Sequence, residues 1–164
     1  MNLAGTRAAE GFARRSFTAH DVRRMVENGI RDAKERTELV EGEFVILEPK
    51  VYDHDLIKNY LNAVIIRSAP TDLMVGVAVS VQFTDRTILE PDLIVFDKQT
   101  LVRSDADFCH FERYNPLLVI EISVSSLRYD SGLKAGLYAR YGVPELWVVD
   151  ASERIARVHL GPKG

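Results

Sequence analysis

The sequence predicts an α/β protein, a mixed β-sheet flanked by helices, on three observations. Two short apolar runs, Leu93-Ile94-Val95-Phe96 and Leu117-Leu118-Val119-Ile120, are rich in β-branched residues and too brief for helices, which marks them as buried strands. Val75, Val77, Val79, Val81 and Phe83 fall on every second position, the period of a half-buried strand. Residues 52–68 and 129–141 instead space their apolar side chains as a helix does. Interleaved strands and helices bury both kinds of apolar face when the helices cover the sheet.

In chain order, residues 1–17 lack periodicity and are expected to form a frayed or disordered start, followed by a single domain over 18–164. Thr18-Ala19-His20-Asp21 is a capping box with Asp in place of Glu, so a short helix runs to about Asn28 and stops at Gly29. Residues 37–40 and 43–47 flank Glu41-Gly42 as a β-hairpin. Leu56, Ile57, Tyr60, Leu61, Val64 and Ile65 define an amphipathic helix from Tyr52 to Ser68. The Val75 to Phe83 strand should turn at residues 84–87 into the strand that Asp92 opens. Residues 98–115 have no firm pattern and read as a polar connection. The strand ending at Glu121 leads to a helix from Tyr129 to Tyr141, closed by Gly142 and Pro144. Residues 145–149 and 154–160 are the last two strands. The final strand–helix–strand unit suits a parallel crossover.

With 46% hydrophobic and 27% charged residues the composition is that of an ordinary globular protein. No apolar run approaches the ~20 residues of a membrane helix, and Met1 to Arg15 has no apolar segment of a secretory signal. The single cysteine, Cys109, cannot form an internal disulfide, which fits a reducing, cytoplasmic location. One cysteine and four scattered histidines speak against structural zinc. The net charge of −3 gives no global pull toward nucleic acid. Residues 1–36 nonetheless hold eight Lys/Arg against five acids, +3, leaving −6 for the remainder. That basic entry is either a phosphate-contacting segment or a solvated helix face.

Asp92 opens one apolar strand and Glu121 ends the other. Paired antiparallel, the strands bring the two acids together, where they repel unless a cation lies between them. A dication with oxygen ligands resolves the conflict, and the Ile122 carbonyl could serve as a neutral ligand. Lys134, about a turn into the following helix, can lean back toward the strand end, where an ammonium would steady charge developing on a phosphate. Ser123 shares the sheet face of Glu121. Plainer readings stand beside these. Asp92 follows Pro91 as a turn residue often does, Asp130 and Lys134 have the spacing of a helix ion pair, and Trp147, Tyr138 and Tyr141 suit a packed core. No glycine-rich phosphate loop supports a nucleotide-binding small-molecule enzyme.

Pro91-Asp92, Glu121-Ile122-Ser123, Asp130-x-x-x-Lys134-x-x-x-Tyr138-Ala139 and Tyr141-Gly-Val-Pro-Glu-Leu-Trp-Val-Val-Asp150 together resemble the Uma-two family, a branch of the PD-(D/E)xK nuclease superfamily. The similarity runs over about residues 18 to 160. Glu38-Leu-Val-Glu-Gly-Glu43 resembles the family's N-terminal hairpin, and His54 falls where its members place a histidine. The resemblance implies a restriction-endonuclease-like core preceded by a helix and a β-hairpin, with Mg2+ or Mn2+ held by Asp92 and Glu121. It implies that Lys134 replaces a lysine usually found at the position of Ser123, that Glu38 is a further acid near the metal, and that His54 contacts phosphate or water. The activity implied is metal-dependent hydrolysis of DNA; since a single chain cuts one strand at a time, double-strand cleavage would call for a homodimer. The alternative is a catalytically inactive nuclease-fold module that binds nucleic acid or a protein partner. The chain has Ser123-Val124-Ser125 where the family commonly has Ser-Pro-Ser, and no helix-turn-helix or finger pattern offers base readout.

Overall fold

The structure, a computed structural model, describes residues 15–31, 35–103, 108–111 and 115–161. Most of the expected loose start therefore lies outside the described residues. Of the part within them, Phe17 donates its amide to the Gly42 carbonyl at 2.9 Å and packs its ring on Phe44.

Helix α1 (Ala19–Glu27) begins at the expected capping box, with Thr18 and Asp21 each satisfying the other's backbone amide. Strands β1 (Thr37–Val40) and β2 (Glu43–Ile46) form the hairpin. Glu41 (φ 51°) and Gly42 (φ 92°) both adopt the left-handed backbone that a two-residue turn of this hand requires. Helix α2 (Tyr52–Ser68) follows.

The expected α/β architecture is present, with its strands divided between two mixed sheets. The alternating stretch from Val75 to Phe83 is two strands, β3 (Leu73–Val77) and β4 (Val81–Thr84), one in each sheet. Ala78 (φ 49°) breaks the run, and its amide donates to the Asp92 carbonyl at 3.0 Å. A further short strand, β5 (Thr87–Leu89), precedes β6 (Leu93–Asp97). The connection read as patternless holds β7 (Leu101–Arg103) and β8 (Cys109–Phe111), each three residues long and too short to show a period. The rest are β9 (Leu118–Ser123), β10 (Glu145–Asp150) and β11 (Ile155–Leu160). The first sheet is ordered β2-β1-β5-β4-β8-β7 and the second β11-β10-β9-β6-β3. In the second sheet β6 and β9 are antiparallel, while β9 and β10 run parallel around an intervening helix.

That helix is not uniformly α. Tyr129–Lys134 is a π-helical turn that runs directly into α3 (Ala135–Arg140). Gly142 (φ 78°) ends it as expected.

The second sheet is covered on both faces. Ile57, Leu61 and Ile65 of α2 pack on Leu93, Ile120 and Ile122. On the other face Leu137 and Tyr138 of α3 join Ile94, Phe96 and Val119, together with Val40, Val81 and Leu89 from the first sheet. The remaining half of the apolar pattern in α2, Leu56, Tyr60 and Val64, is exposed, so the helix buries only part of the stripe its sequence carries. Helix α1 closes a separate small core with Leu39 and Ile88.

Candidate active site

Strand period decides which acids meet. Glu121 lies two residues after Val119 and projects with it toward α3, where Lys134 and Tyr138 meet it, whereas Asp92, in the bend before β6, turns its carboxylate to Lys50 and to His54 of α2. The register of Leu93 with Ile120 brings Asp92 opposite Glu121 at one end of the β6–β9 pair. Asp92, Glu121 and Lys134 are each at most 5% exposed and line a cleft of about 480 Å³. Its walls are the chain from Val45 through His54 and the chain from Ile122 to Lys134.

Lys134 is held between two carboxylates. Its Nζ lies 2.7 Å from Glu121 Oε1 and 2.8 Å from Glu38 Oε1. The plainer reading of Asp130 and Lys134 as a helix ion pair gives way to this arrangement. The π turn buries both side chains, and Asp130 instead accepts hydroxyl hydrogen bonds from Ser123 (2.7 Å) and Ser126 (2.5 Å). Ser123 thus serves Asp130. Tyr138 donates its hydroxyl to Glu121 Oε1 at 2.5 Å, and Tyr129 donates to Glu38 Oε2 at 2.8 Å. Glu38 Oε1 also accepts the Glu90 amide at 2.8 Å. Glu38 therefore ties β1 to the helix through Lys134.

Asp92 has its own donors. Oδ2 accepts the Ile122 amide at 2.9 Å, and Oδ1 lies 2.8 Å from Lys50 Nζ and 2.9 Å from His54 Nε2. The His54 ring reaches Asp92, where an ionised carboxylate can only accept, so Nε2 carries the proton. Lys50, Tyr129 and Tyr138 were not among the residues the sequence singled out for the site. Lys50 has no signal of its own, whereas Tyr138 stands in the helix motif four residues after Lys134.

The electrostatics separate the two acids. Burial alone would raise the Asp92 carboxyl, but the His54 hydrogen bond and the Lys50 charge bring it well below the usual carboxylate range. Burial pushes the Glu121 carboxyl up to about 8. Lys134 opposes that push, and the negative charges of Asp130, Asp92 and Glu38 add to it. Burial disfavours the Lys134 charge, yet Glu121 and Glu38 more than compensate and keep it an ammonium. Cys109 lies apart from this site, with its thiol pushed up to about 11 by burial.

Among the described residues no three His, Cys, Asp or Glu side chains form a cluster able to hold a metal unaided. A pair of carboxylates supplemented by a carbonyl and waters suits a small hard cation such as Mg2+, which keeps several of its waters. Burial is the main cause that raises Glu121, and the neighbouring acids add a smaller push that a dication would relieve. The donor set fits.

The fold is a pair of mixed sheets whose cleft gathers strand-end acids and a helix-borne lysine into one acidic centre. Residues 21–164 match the Uma2 family, described as "Putative restriction endonuclease", and the chain belongs to that family. Among solved structures it is similar to a "putative nuclease belonging to DUF820" from Anabaena variabilis ATCC 29413. The TM-score is 0.70 at 16% identity, covering 90% of this chain and 82% of the other. No curated protein matches the chain. No helix among the described residues is long and apolar enough to cross a membrane.

Proposed function

We propose that the protein is a Mg2+- or Mn2+-dependent endonuclease that hydrolyses DNA phosphodiester bonds at this cleft. The observation that carries the reading is the convergence of Asp92 and Glu121 at one end of the β6–β9 pair and in one cleft, with the buried Lys134 ammonium 2.7 Å from Glu121. Family membership supports the reaction class. Asp92, Glu121 and the Ile122 carbonyl are the groups that would hold the metal. When bound, the metal would polarise the phosphate and acidify a water.

The other steps belong to the chain. Lys134 stays charged, so it acts as an electrostatic group that steadies a phosphate oxygen as charge develops on it. Tyr138 fixes the Glu121 carboxylate by hydrogen bonding. His54 orients Asp92 through Oδ1 and acts as a positioning residue for that carboxylate. Glu38 sets the place of Lys134, since its oxygens are taken up by Lys134, Tyr129 and the Glu90 amide.

Supercoiled plasmid with purified protein and Mn2+ is the direct assay. Nicked circles should accumulate with the wild type and fall to background with Asp92→Ala and Glu121→Ala. One cleft per chain cuts one strand at a time, so linear product should rise only at protein concentrations where two chains act together. A wild type that leaves the plasmid supercoiled, or that nicks no faster than Glu121→Ala, refutes the assignment and favours the inactive binding module.

A further inference from the structure

Lys50 belongs to none of the motifs that define the site. It lies between β2 and α2 on the cleft wall, its side chain 16% exposed, with Nζ 2.8 Å from Asp92 Oδ1 and 3.9 Å from Glu90 Oε1. Arg36, on the same wall, reaches the same Glu90 oxygen at 3.4 Å and donates to the Glu48 carbonyl at 2.8 Å. Asp92 therefore has three donors: Lys50 and His54 on Oδ1, and the Ile122 amide on Oδ2.

An ammonium on Asp92 and a dication on the same carboxylate repel each other at such a separation. The donors differ in their freedom to leave. The Ile122 amide is fixed in β9 and His54 is buried on α2. Lys50 extends from an irregular connection on a flexible four-carbon stem. Lys50 and Arg36 share Glu90 Oε1, so an ammonium that left Asp92 would still have the Glu90 carboxylate, and with it Arg36, within reach. Two cations placed so are suited to the oxygens of a phosphodiester, which position a nucleic acid without reading its bases.

We propose that Lys50 alternates between two partners, competing with the dication for Asp92 and, once displaced, binding a backbone phosphate of the DNA beside Arg36. The proposal rests on the metal-dependent nuclease reading. It assigns this lysine effects of opposite sign on metal and on nucleic acid, which a merely structural residue would not show.

Two binding measurements test it. Isothermal titration with Mn2+ alone compares the wild type with Lys50→Met, Lys50→Gln and Asp92→Ala. Fluorescence anisotropy follows a duplex oligonucleotide at saturating Ca2+ over a range of salt. With the competing charge gone, Lys50→Met and Lys50→Gln should bind Mn2+ on the order of tenfold more tightly. The same variants should bind duplex on the order of fivefold more weakly, with a salt slope smaller by about one. Lys50→Arg should retain the wild-type slope. Unchanged or weaker Mn2+ binding in both neutral variants, or an unaltered salt slope, overturns the role given to Lys50 and leaves the wild-type metal site standing. A wild type with no Mn2+ site, or one that survives Asp92→Ala, overturns the nuclease reading and the Lys50 proposal with it.

Discussion

At the scale of single residues, Glu121 sets the pH response. Its carboxyl is raised from an ordinary 4.5 to about 8, so in the folded protein the proton stays on until the solution is mildly alkaline. A metal requires the carboxylate, and proton and metal compete for it. Apparent Mn2+ affinity should therefore fall as pH drops below about 8, approaching tenfold per unit for one displaced proton, and level off above it. Titrations at several pH values check this, and a flat profile between pH 6 and 8 contradicts it. In the absence of metal the same shift has a cost in stability. Between the unfolded value and about 8 the folded state binds more protons, so stability declines as pH rises through that window. Tyr138→Phe removes a donor that favours the charged carboxyl, so it should move the affinity profile to higher pH. Loss of that hydrogen bond should cost about 1 kcal/mol of stability. Asp92 and Glu121 could be singled out in the sequence because they stand at the start and the end of two recognisable strands, and Lys134 because it lies about a turn into the helix that follows Glu121. Lys50 could not, because its contact with Asp92 spans 42 residues and depends on how the connection before α2 folds over the sheet.

At the scale of elements, the strands that the sequence did not reveal, β5, β7 and β8, have three residues each, too few to show a period. The Val75 to Phe83 alternation stays in phase although the chain passes from one sheet to the other at Ala78, and a period of two carries no mark of which sheet receives each half. The π turn was equally hidden, because its apolar positions match a helix while its extra residue per turn carries Asp130 and Lys134 inward together. Ala78 offers a test of the crossing. Its φ of 49° costs an L residue strain that glycine escapes. Ala78→Gly should gain about 0.5–1 kcal/mol after allowing for glycine's greater freedom when unfolded, and β-branched Ala78→Val should lose more than 1 kcal/mol. Urea denaturation of the two variants gives both signs. A destabilised Ala78→Gly would show that the crossing is unstrained.

At the scale of the whole molecule, Lys134 joins structures that the topology keeps apart. Glu38 belongs to the first sheet, Glu121 to the second, and the ammonium that bonds both comes from the helix between β9 and β10. Strand and helix periods predict each of these elements but not this junction, since 96 residues separate Lys134 from Glu38. The pair is buried, so removing the cation strands two acids in a site where water cannot replace it. Lys134→Met should destabilise the fold by about 3–5 kcal/mol, the loss expected when one partner of a buried pair is deleted. Adding Glu38→Gln to that background removes the stranded Glu38 charge, and stability should partly return. The two losses are then not additive, as required of residues in one network. Denaturant midpoints for the two single variants and the double variant measure the coupling. Additive losses would mean that the sheets are held together by their apolar contacts alone, with Lys134 serving only the chemistry of the cleft.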